Sequence, residues 1–335
     1  MRIAPFFLLV LSTLGGLPPA APRRIRRGLQ SHPPKPPPAP APAVVPWRTA
    51  DNAVTRGGEG FRLKGINWNG IESDCRIVHG LWEHGLDHYL DILEKHRFNA
   101  VRLPVPYEVM ADPKLTVKPE CTTADRPYES VHEFLTMFLD KAWKRRIFVL
   151  FDLHSVEGAI TEYPWSPNVS EAQIVDAWGS FAQRYAAYPA VMGLEIRNEP
   201  HGAVTTSEFH RHCRAVIDRV LAVAPGFDGL FFVSGTTDSP VDGDKAPWGG
   251  SLEMLPRRCE EDALCQLGLE DRIVFCPHVY GPDVRSPETT AGEGPPTFER
   301  RFGFLRDHPI FNGSAIVVTE FGGHMRESDG VYFGE

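Results

Sequence analysis

Short apolar segments alternate with amphipathic helical segments over most of the chain. The apolar segments predict seven strands, at Phe61–Ile66, Asn99–Leu103, Ile147–Leu153, Val191–Ile196, Leu230–Val233, Ile273–Cys276 and Ala315–Thr319. Helical patterns fall between them, at Leu86–His96, Val131–Trp143, Ala172–Tyr185, Ser207–Val223 and Phe298–Arg306. Because continuous apolar strands bury both of their faces, this alternation predicts an α/β fold with a parallel sheet covered by helices.

Two parallel architectures fit such an alternation. A doubly wound open sheet usually carries a glycine-rich phosphate loop after an early strand, and neither GxGxxG nor GxxxxGK[ST] occurs in the chain. A (β/α)8 TIM barrel is therefore favoured. A closed barrel needs eight strands, and the sequence ends soon after the seventh. We therefore expect a barrel truncated after its seventh strand.

The beginning of the chain differs in composition from the rest. Residues 1–21 have an early arginine, an apolar run at Phe6–Leu14 and small residues near Ala20, which is typical of a secretory signal peptide. The apolar run is shorter than the roughly 20 residues of a membrane span. Residues 22–55 are basic and then rich in proline and alanine, which predicts an extended linker. Residues 56–335 are predicted to form the barrel domain, with its C-terminal part missing.

Charge and cysteine content narrow the possible partners and compartments. The net charge of -8 disfavours nucleic acid and anionic membranes as partners. Six cysteines suit an oxidising compartment but allow 15 pairings. Cys75 with Cys121, and Cys259 with Cys265, are candidate pairs, whereas Cys213 and Cys276 lie in apolar patterns typical of buried free thiols. Exported protein would also expose glycosylation sequons at Asn168 and Asn312.

Two glutamates follow apolar strands. Glu199 stands in Asn198-Glu199-Pro200, and the residue before a proline avoids helical geometry, so we expect Glu199 in extended backbone at the strand end. Read alone, this segment is equally a polar turn. A second strand-end acid, Glu320, is followed by Phe321 and glycines. Two carboxylates at the carboxyl ends of barrel strands are suited to glycoside hydrolysis.

Other polar residues are also predicted at strand ends. They are Arg102, His154, Asn198, His278 and Tyr280. Each has a structural interpretation, such as a surface ion pair for Arg102 or a core histidine for His154. Their grouping at the same end of several strands indicates a site at the carboxyl-terminal mouth of the barrel.

The chain resembles glycoside hydrolase family 5, the cellulase family of clan A retaining β-glycosidases. The matching segments, in order, are FRLKGINWNG at 61–70, FNAVRLPV at 98–105, LFDLH at 150–154, GLEIRNEPHG at 193–202, CPHVYGP at 276–282 and VVTEFGG at 317–323. The resemblance implies a (β/α)8 barrel with the acid/base on strand four and the nucleophile on strand seven. The strand count places Glu199 and Glu320 on those strands.

This resemblance implies a role for each candidate residue. Glu320 is the expected nucleophile, with a pKa lowered by Arg102 and Tyr280, and Glu199 is the expected acid/base. Asn198 suits a hydrogen bond to the sugar 2-hydroxyl, while His154 and His278 shape the subsite. Tryptophans in the loops of the same face are candidates for stacking on sugar rings, or equally for structural packing, at Trp68, Trp165 and Trp248. No HExxH or zinc-spaced CxxC pair is present, so we expect no metal and no cofactor.

The sequence therefore predicts a secreted, monomeric endo-β-1,4-glucanase that acts on a β-glucan polysaccharide by double displacement. β-Mannanase and exo-β-1,3-glucanase remain alternatives, because their catalytic pair is the same in this family. A carbohydrate-binding relative without turnover is a further alternative, although such a protein would be expected to have lost Glu199 or Glu320. The family's eighth strand normally carries a tryptophan beside the scissile bond, and no segment for it precedes Glu335.

Overall fold

The structure is a computed structural model. It describes residues 45–123, 128–157, 165–201, 204–237, 249–255, 260, 262–280 and 295–322. The predicted signal peptide and the linker as far as residue 44 lie outside these residues. The predicted domain boundary at residue 56 is too late, because an antiparallel hairpin already begins at Trp47. Its Trp47 and Val54 side chains are buried and anchor the hairpin to the domain.

The main sheet consists of six parallel strands that pair in chain order, β4 to β9. The strands of the structure are β1 Trp47–Ala50, β2 Ala53–Arg56, β3 Glu59–Gly60, β4 Gly65–Asn67, β5 Ala100–Pro106, β6 Phe148–Ser155, β7 Val191–Glu195, β8 Leu230–Val233, β9 Ile273–Phe275, β10 His278–Tyr280 and β11 Glu320–Gly322. Strands that pair with their successors in the chain, with helices between many of them, form the wall of a (β/α) barrel. The predicted α/β class with a parallel sheet is confirmed.

Helices pack on the outside of this wall. They are α1 Leu86–Lys95, α2 Tyr107–Ala111, α3 Val131–Lys144, α4 Glu171–Tyr185, α5 Thr206–Val223 and α6 Pro295–Arg301, with 3-10 turns at Pro119–Cys121, Glu270–Arg272 and Gly303–Asp307. Side chains of Ser130, Ser170 and Thr205 cap α3, α4 and α5 by accepting a backbone N–H from the first turn. None of the helices within the described residues has the length and apolar character needed to span a bilayer.

Alternation along the strands divides the core into two layers. On β6, Val149 and Phe151 belong to the large cluster between sheet and helices, whereas Phe148 and Leu150 belong to a smaller cluster inside the barrel. The inward face of β6 then continues with Asp152 at period two. The barrel interior is therefore apolar at its foot, where Trp47 and Val54 close it, and charged near the carboxyl ends of the strands.

The second strand of the barrel, β5, is longer than predicted. It was expected to end at Leu103, before Pro104, but β5 continues to Pro106. The Trp68 N–H donates to the Arg102 carbonyl, so the backbone hydrogen-bonding groups of residue 102 point toward β4. Those of residues 104 and 106 lie on the same side of the strand, because backbone direction alternates along it. The pairing of β4 with β5 ends at Asn67 and Arg102. Pro104 and Pro106, which have no backbone N–H, therefore lie where no strand is paired on that side, and no ladder hydrogen bond is lost.

The predicted seventh strand, Ala315–Thr319, is present only as a bridge in this structure. Ile316 pairs in parallel with Phe275 of β9, and the regular strand β11 begins at Glu320, paired with β10. The two short strands β10 and β11 thus continue the barrel wall beyond β9. Glu320 occupies the first position of a strand rather than the residue after one. The expectation of a barrel that stops after seven strands remains a prediction.

The predicted helix Phe298–Arg306 is interrupted. The structure has α6 from Pro295 to Arg301 and then a 3-10 turn from Gly303 to Asp307. Phe302, between them, has φ -150° and ψ -19°, which is outside helical geometry. The apolar periodicity of a helix therefore continues in the sequence past Phe302, although the helix itself ends at Arg301.

Cysteine pairing agrees with the sequence analysis where the structure describes it. Cys75 and Cys121 form a disulfide bond across a sequence separation of 46 residues. Cys213 and Cys276 are buried free thiols, as predicted. Cys265 is also disulfide-bonded, and its predicted partner Cys259 lies outside the described residues. The Cys75–Cys121 bond ties the loop that follows β4 to the segment that precedes α3.

Candidate active site

Arg102 is the centre of a buried polar cluster inside the carboxyl end of the barrel. Its guanidinium donates to both oxygens of Glu195, at 2.7 Å each, and to Oε1 of Glu320 at 2.5 Å. It also donates to Oδ1 of Asn198 at 2.9 Å and lies 2.9 Å from Oδ2 of Asp152. A planar guanidinium has five fixed donors, so these contacts fix several side chains relative to one another.

The two predicted catalytic carboxylates meet beside His278. Nδ1 of His278 lies 2.9 Å from Oε1 of Glu199 and 3.7 Å from Oε2 of Glu320. Oxygens of the two carboxylates and a nitrogen of His278 lie within 4.8 Å of one another. The Tyr280 hydroxyl donates to Oε2 of Glu320 at 2.8 Å. The structure therefore brings Glu199, Glu320, Arg102, His278 and Tyr280 to one place.

The electrostatic surroundings favour an ionised Glu320. Burial alone would raise its pKa, but the charge of Arg102, followed by His278 and the Tyr280 hydroxyl, lowers it below the usual value. Burial and the neighbouring Glu320 charge raise the pKa of Tyr280. The phenol therefore stays protonated and acts as a donor to the carboxylate.

His278 is protonated in this environment. Burial opposes its charge, but the carboxylates of Glu195 and Glu199 and the charge of Glu320 raise the pKa of His278 to about 9. His154, near the end of β6, has a raised pKa for a similar reason: burial opposes the charge, and a 2.7 Å contact with Asp152 outweighs it. The raised pKa values of both predicted histidines favour their protonated forms.

The backbone of Glu199 differs from the sequence prediction. Its φ is +45°, which is left-handed rather than extended, and it lies four residues beyond the end of β7. Such a φ in a residue other than glycine costs of order 1–3 kcal/mol and persists only where the surroundings impose it. The local rule for a residue before proline was therefore overridden by tertiary contacts.

Several hydrogen bonds hold the segment that leads to Glu199. The Trp178 indole N–H donates to the Ile196 carbonyl at 3.2 Å, and the Ser234 hydroxyl donates to the Arg197 carbonyl at 2.8 Å. The Asn198 N–H donates to the Leu153 carbonyl at 3.0 Å. The buried Arg197 guanidinium also donates to this carbonyl and to that of His154. These bonds tie the loop after β7 to the ends of β6 and β8.

A cavity of about 620 Å³ opens beside Arg102 and Tyr280. Trp68, His79 and Phe321 are among the residues that line it, and Phe321 is 70% exposed. The half-buried Trp68 ring also packs edge-on against Tyr89 and Phe138. Of the three predicted tryptophans, Trp68 is therefore placed at the cavity.

Trp165 is not among the residues that line this cavity. The Trp165 ring packs against His212 on α5, with ring centroids 5.7 Å apart, and against the core between helices and sheet. Trp165 is half-buried, and its expected stacking on substrate remains a prediction. Trp248 lies outside the described residues.

The structure adds polar residues that the sequence analysis did not select. They are Asn67, Asp152, Glu195, Arg197 and Thr319. Asp152 stands two residues before His154 and so shares its inward face, which is a signal present in the sequence. Glu195 shares the inward face through its pairing with Asp152. Each of these two acids lies within an apolar segment rather than after one, so a strand-end pattern does not mark it.

Glu199, His278 and Glu320 are also, among the residues the structure describes, a group whose atoms could together reach a metal ion. Glu320 is already paired with the Arg102 guanidinium, and His278 is protonated between carboxylates. A metal would have to displace these positive charges. The cluster is therefore better suited to holding protons, and the absence of a metal remains a prediction.

A family model described as cellulase (glycosyl hydrolase family 5) matches residues 54–332. The chain belongs to glycosyl hydrolase family 5. The resemblance stated from its motifs is thereby confirmed.

Named relatives agree with this assignment. A protein described as the major extracellular endoglucanase of Xanthomonas campestris pv. campestris is 31% identical over 293 residues. The match covers 82% of this chain and 57% of that protein, so the chain spans little more than half the length of this relative. The solved catalytic domain of the Xanthomonas enzyme has a TM-score of 0.67 at 30% identity, covering 79% of this chain and 78% of that one. The family relationship thus extends over most of the chain.

An archaeal structure shows the same fold. An endocellulase from Pyrococcus horikoshii, solved with cellotetraose, has a TM-score of 0.72 at 24% identity, covering 87% of this chain and 85% of that one. At this identity the likeness shows the fold alone. It supports a barrel architecture for the parallel sheet described above.

Proposed function

We propose that this protein is a retaining endo-β-1,4-glucanase that hydrolyses β-glucan. The observation that carries the proposal is the pairing of Glu199 and Glu320, whose carboxylate oxygens lie within 4.8 Å of each other across His278. Retaining glycosidases have carboxyl groups roughly 5–5.5 Å apart, whereas inverting enzymes separate them by roughly 6.5–9.5 Å. The short separation favours double displacement.

The first step uses the two carboxylates in different states. Ionised Glu320 attacks the anomeric carbon, and the bond from that carbon to the leaving oxygen breaks as protonated Glu199 gives its proton to this oxygen. The product is a glycosyl ester on Glu320 and a Glu199 carboxylate. Arg102 and Tyr280 both contact Glu320 and therefore hold its oxygens in position for the attack.

The second step reverses these roles. The Glu199 carboxylate takes a proton from water, and the water oxygen attacks the anomeric carbon. The ester bond breaks, Glu320 leaves as a carboxylate, and Glu199 is protonated again. His278, whose Nδ1 lies 2.9 Å from Oε1 of Glu199, holds this carboxylate in position.

Asn198 is placed to bind the sugar. Its Oδ1 accepts from Arg102, and its buried Nδ2 has no hydrogen-bond partner among the described residues. A buried donor without a partner is costly and is usually satisfied by a ligand or water. This supports a hydrogen bond from Asn198 Nδ2 to the sugar 2-hydroxyl, a contact that strengthens in the transition state of this reaction class.

Release of reducing sugar tests the proposal. Wild-type protein is assayed on carboxymethylcellulose, with lichenan, mannan and laminarin in parallel. We expect hydrolysis of carboxymethylcellulose and lichenan, with retention of anomeric configuration by NMR. Preference for mannan or laminarin would instead support β-mannanase or exo-β-1,3-glucanase. Binding of these polymers without any release would support a carbohydrate-binding relative.

Matched variants connect the activity to the two carboxylates. Glu199→Gln is expected to lower kcat by roughly 10²–10⁴-fold, and Glu320→Gln by more than about 10³-fold. Glu299→Gln, which changes an exposed carboxylate paired with Arg306, is the control and should keep wild-type activity. Hydrolysis that survives in Glu320→Gln would reject Glu320 as nucleophile.

We also propose that the protein is exported. The predicted signal peptide, the Cys75–Cys121 disulfide and the two sequons support this, together with a relative described as extracellular. Secretion of the full chain, with sequencing of the mature N-terminus, tests it. Retention of residues 1–21 in the mature protein would contradict the predicted cleavage.

A further inference from the structure

We propose that Glu195 is a positioning residue of this site, whose negative charge fixes the two cations that face the reacting carboxylates. The inference rests on the proposed function above. Oε2 of Glu195 accepts from Nε of Arg102, and its Oε1 accepts from Nη2 of Arg102, both at 2.7 Å. The same Oε1 lies 3.8 Å from Nε2 of His278. Glu195 is fully buried and therefore reaches substrate only through these two residues.

The contact with Arg102 determines how Glu320 is held. Two parallel N–H donors to one carboxylate form a planar fork, which fixes the orientation of the guanidinium as well as its position. The remaining nitrogen, Nη1, then points to Oε1 of Glu320. Without the fork, Arg102 would keep only its separate contacts with Asn67, Asn198 and Asp152, and the orientation of Nη1 toward the nucleophile would be less firmly fixed.

The contact with His278 determines how Glu199 is held. One ring nitrogen of His278 faces Glu195 and Thr319 Oγ1, and the other lies 2.9 Å from Glu199. A negative charge behind the ring favours the doubly protonated imidazolium, which presents an N–H to Glu199. Glu195 thus acts on the acid/base through His278, as it acts on the nucleophile through Arg102.

Asp152 is the other buried carboxylate that contacts Arg102, and its situation is different. Burial raises the pKa of Asp152, and the nearby charge of Glu195 raises it further against the effect of Arg102. Burial would also raise the pKa of Glu195, but Arg102 and His278 lower it to about 2. The lowered pKa of Glu195 therefore favours its ionised form at neutral pH.

Other charged or titratable groups surround Glu195 and His278 and define their electrostatic environment. They are Arg102 on β5, Asp152 and His154 on β6, Cys276 and Tyr280 on either side of His278, Glu199 beyond β7, and Glu320 on β11. Glu195 itself contacts Arg102 and His278, the two cations that face the reacting carboxylates.

The test removes the charge of Glu195 while keeping its shape. Glu195→Gln is expected to lower kcat by at least about tenfold and to change KM by less than about twofold, because an interaction with the transition state rather than with the substrate is lost. The pKa of His278, followed by NMR and assigned through its loss in His278→Gln, should fall by about one unit or more. The alkaline limb of the kcat/KM profile should move to lower pH because the pKa of His278 falls.

Two further variants separate positioning from folding. Glu195→Asp keeps the charge on a shorter side chain, so kcat should fall while the alkaline limb stays at its wild-type pH. Asp262→Asn is the matched control, because Asp262 is a buried carboxylate that lies 2.8 Å from a buried histidine, His210, away from the site. It should lower stability and leave both the pH profile and the pKa of His278 unchanged.

Specific outcomes would overturn the proposal. One is a folded Glu195→Gln protein with wild-type kcat and an unchanged pKa of His278. Another is an equal change of the pH profile in Asp262→Asn. If Glu195→Gln does not fold, a Glu195→Asp protein with wild-type kcat would overturn it. Wild-type protein inactive on every polymer would reject the proposed function, while the NMR titration would still decide the role of Glu195.

Discussion

His278 lies directly against Glu199, with Nδ1 of the imidazole 2.9 Å from Oε1 of the carboxylate. His278 lies on β10 and Glu199 in the loop after β7, 79 positions apart in the sequence, and the two meet inside the carboxyl end of the barrel. Because the histidine is protonated between three carboxylates, the acid/base of the proposed reaction has a fixed cationic neighbour. The pH behaviour of the protein should follow from this relationship.

Stability is expected to fall at alkaline pH because of His278. Its folded pKa of about 9 lies above the unfolded value of about 6.5. The favourable contribution of its charge is therefore complete below about pH 6.5 and is lost as the pH rises through about 9. Urea unfolding between pH 6 and pH 10 measures this loss. His278→Gln should flatten the slope, whereas His84→Gln, which changes an exposed histidine, should keep it.

Arg102→Lys is expected to damage catalysis although it keeps the charge. An ammonium group cannot reproduce the guanidinium fork on Glu195 and also contact Glu320, so kcat should fall by at least about 10²-fold. The acid limb of the kcat/KM profile should move to higher pH, because Glu320 loses its direct contact with the positive group that lowers its pKa.

The matched control for that variant is Arg145→Lys. Arg145 pairs with Asp87 and Asp91 on α1, outside the site, and its replacement should leave both kcat and the acid limb at wild-type values. An acid limb that stays in place in Arg102→Lys would contradict the assigned effect of Arg102 on Glu320.

Trp68→Ala is expected to change KM, whereas Trp165→Ala is expected to change the free energy of unfolding. Trp68 borders the cavity, so its loss should raise KM by about threefold to tenfold, which corresponds to roughly 0.5–1.5 kcal/mol of ring stacking. Trp165 packs against His212 and the core, so its loss should lower the unfolding free energy and leave KM within about twofold. Steady-state kinetics and urea unfolding on both variants check this. A larger KM effect from Trp165→Ala would contradict the placement of the two rings.

Loss of the Cys75–Cys121 bond is expected to destabilise the domain. The disulfide closes a long loop, and removing it in Cys75→Ser/Cys121→Ser should lower the unfolding free energy by about 2–4 kcal/mol. Urea unfolding with and without reductant measures the effect. Reductant should lower the stability of wild type by at least this amount, because it also opens the disulfide of Cys265. A wild-type curve already equal to that of the variant before reduction would show that the bond contributes nothing.

Local patterns in the sequence were sufficient for the class of fold and for much of the site. The strands at Val191–Glu195 and Leu230–Val233 and the helices α3 to α5 lie within one or two residues of their predicted bounds. Burial on both faces of a strand and on one face of a helix produces periodicities that can be read directly from residue order. For the same reason, polar residues near strand ends identified Arg102, His278 and Tyr280 as neighbours.

Only the tertiary structure decided which polar groups contact one another and what backbone they adopt. The left-handed Glu199 contradicts a local rule because hydrogen bonds from Trp178 and Ser234 to the preceding residues outweigh a preference of a few kcal/mol. The fork between Arg102 and Glu195 joins residues 93 positions apart. Sequence alone determined which chemical groups reach the mouth of the barrel. Their pairing depends on distances across the barrel interior, which residue order does not contain.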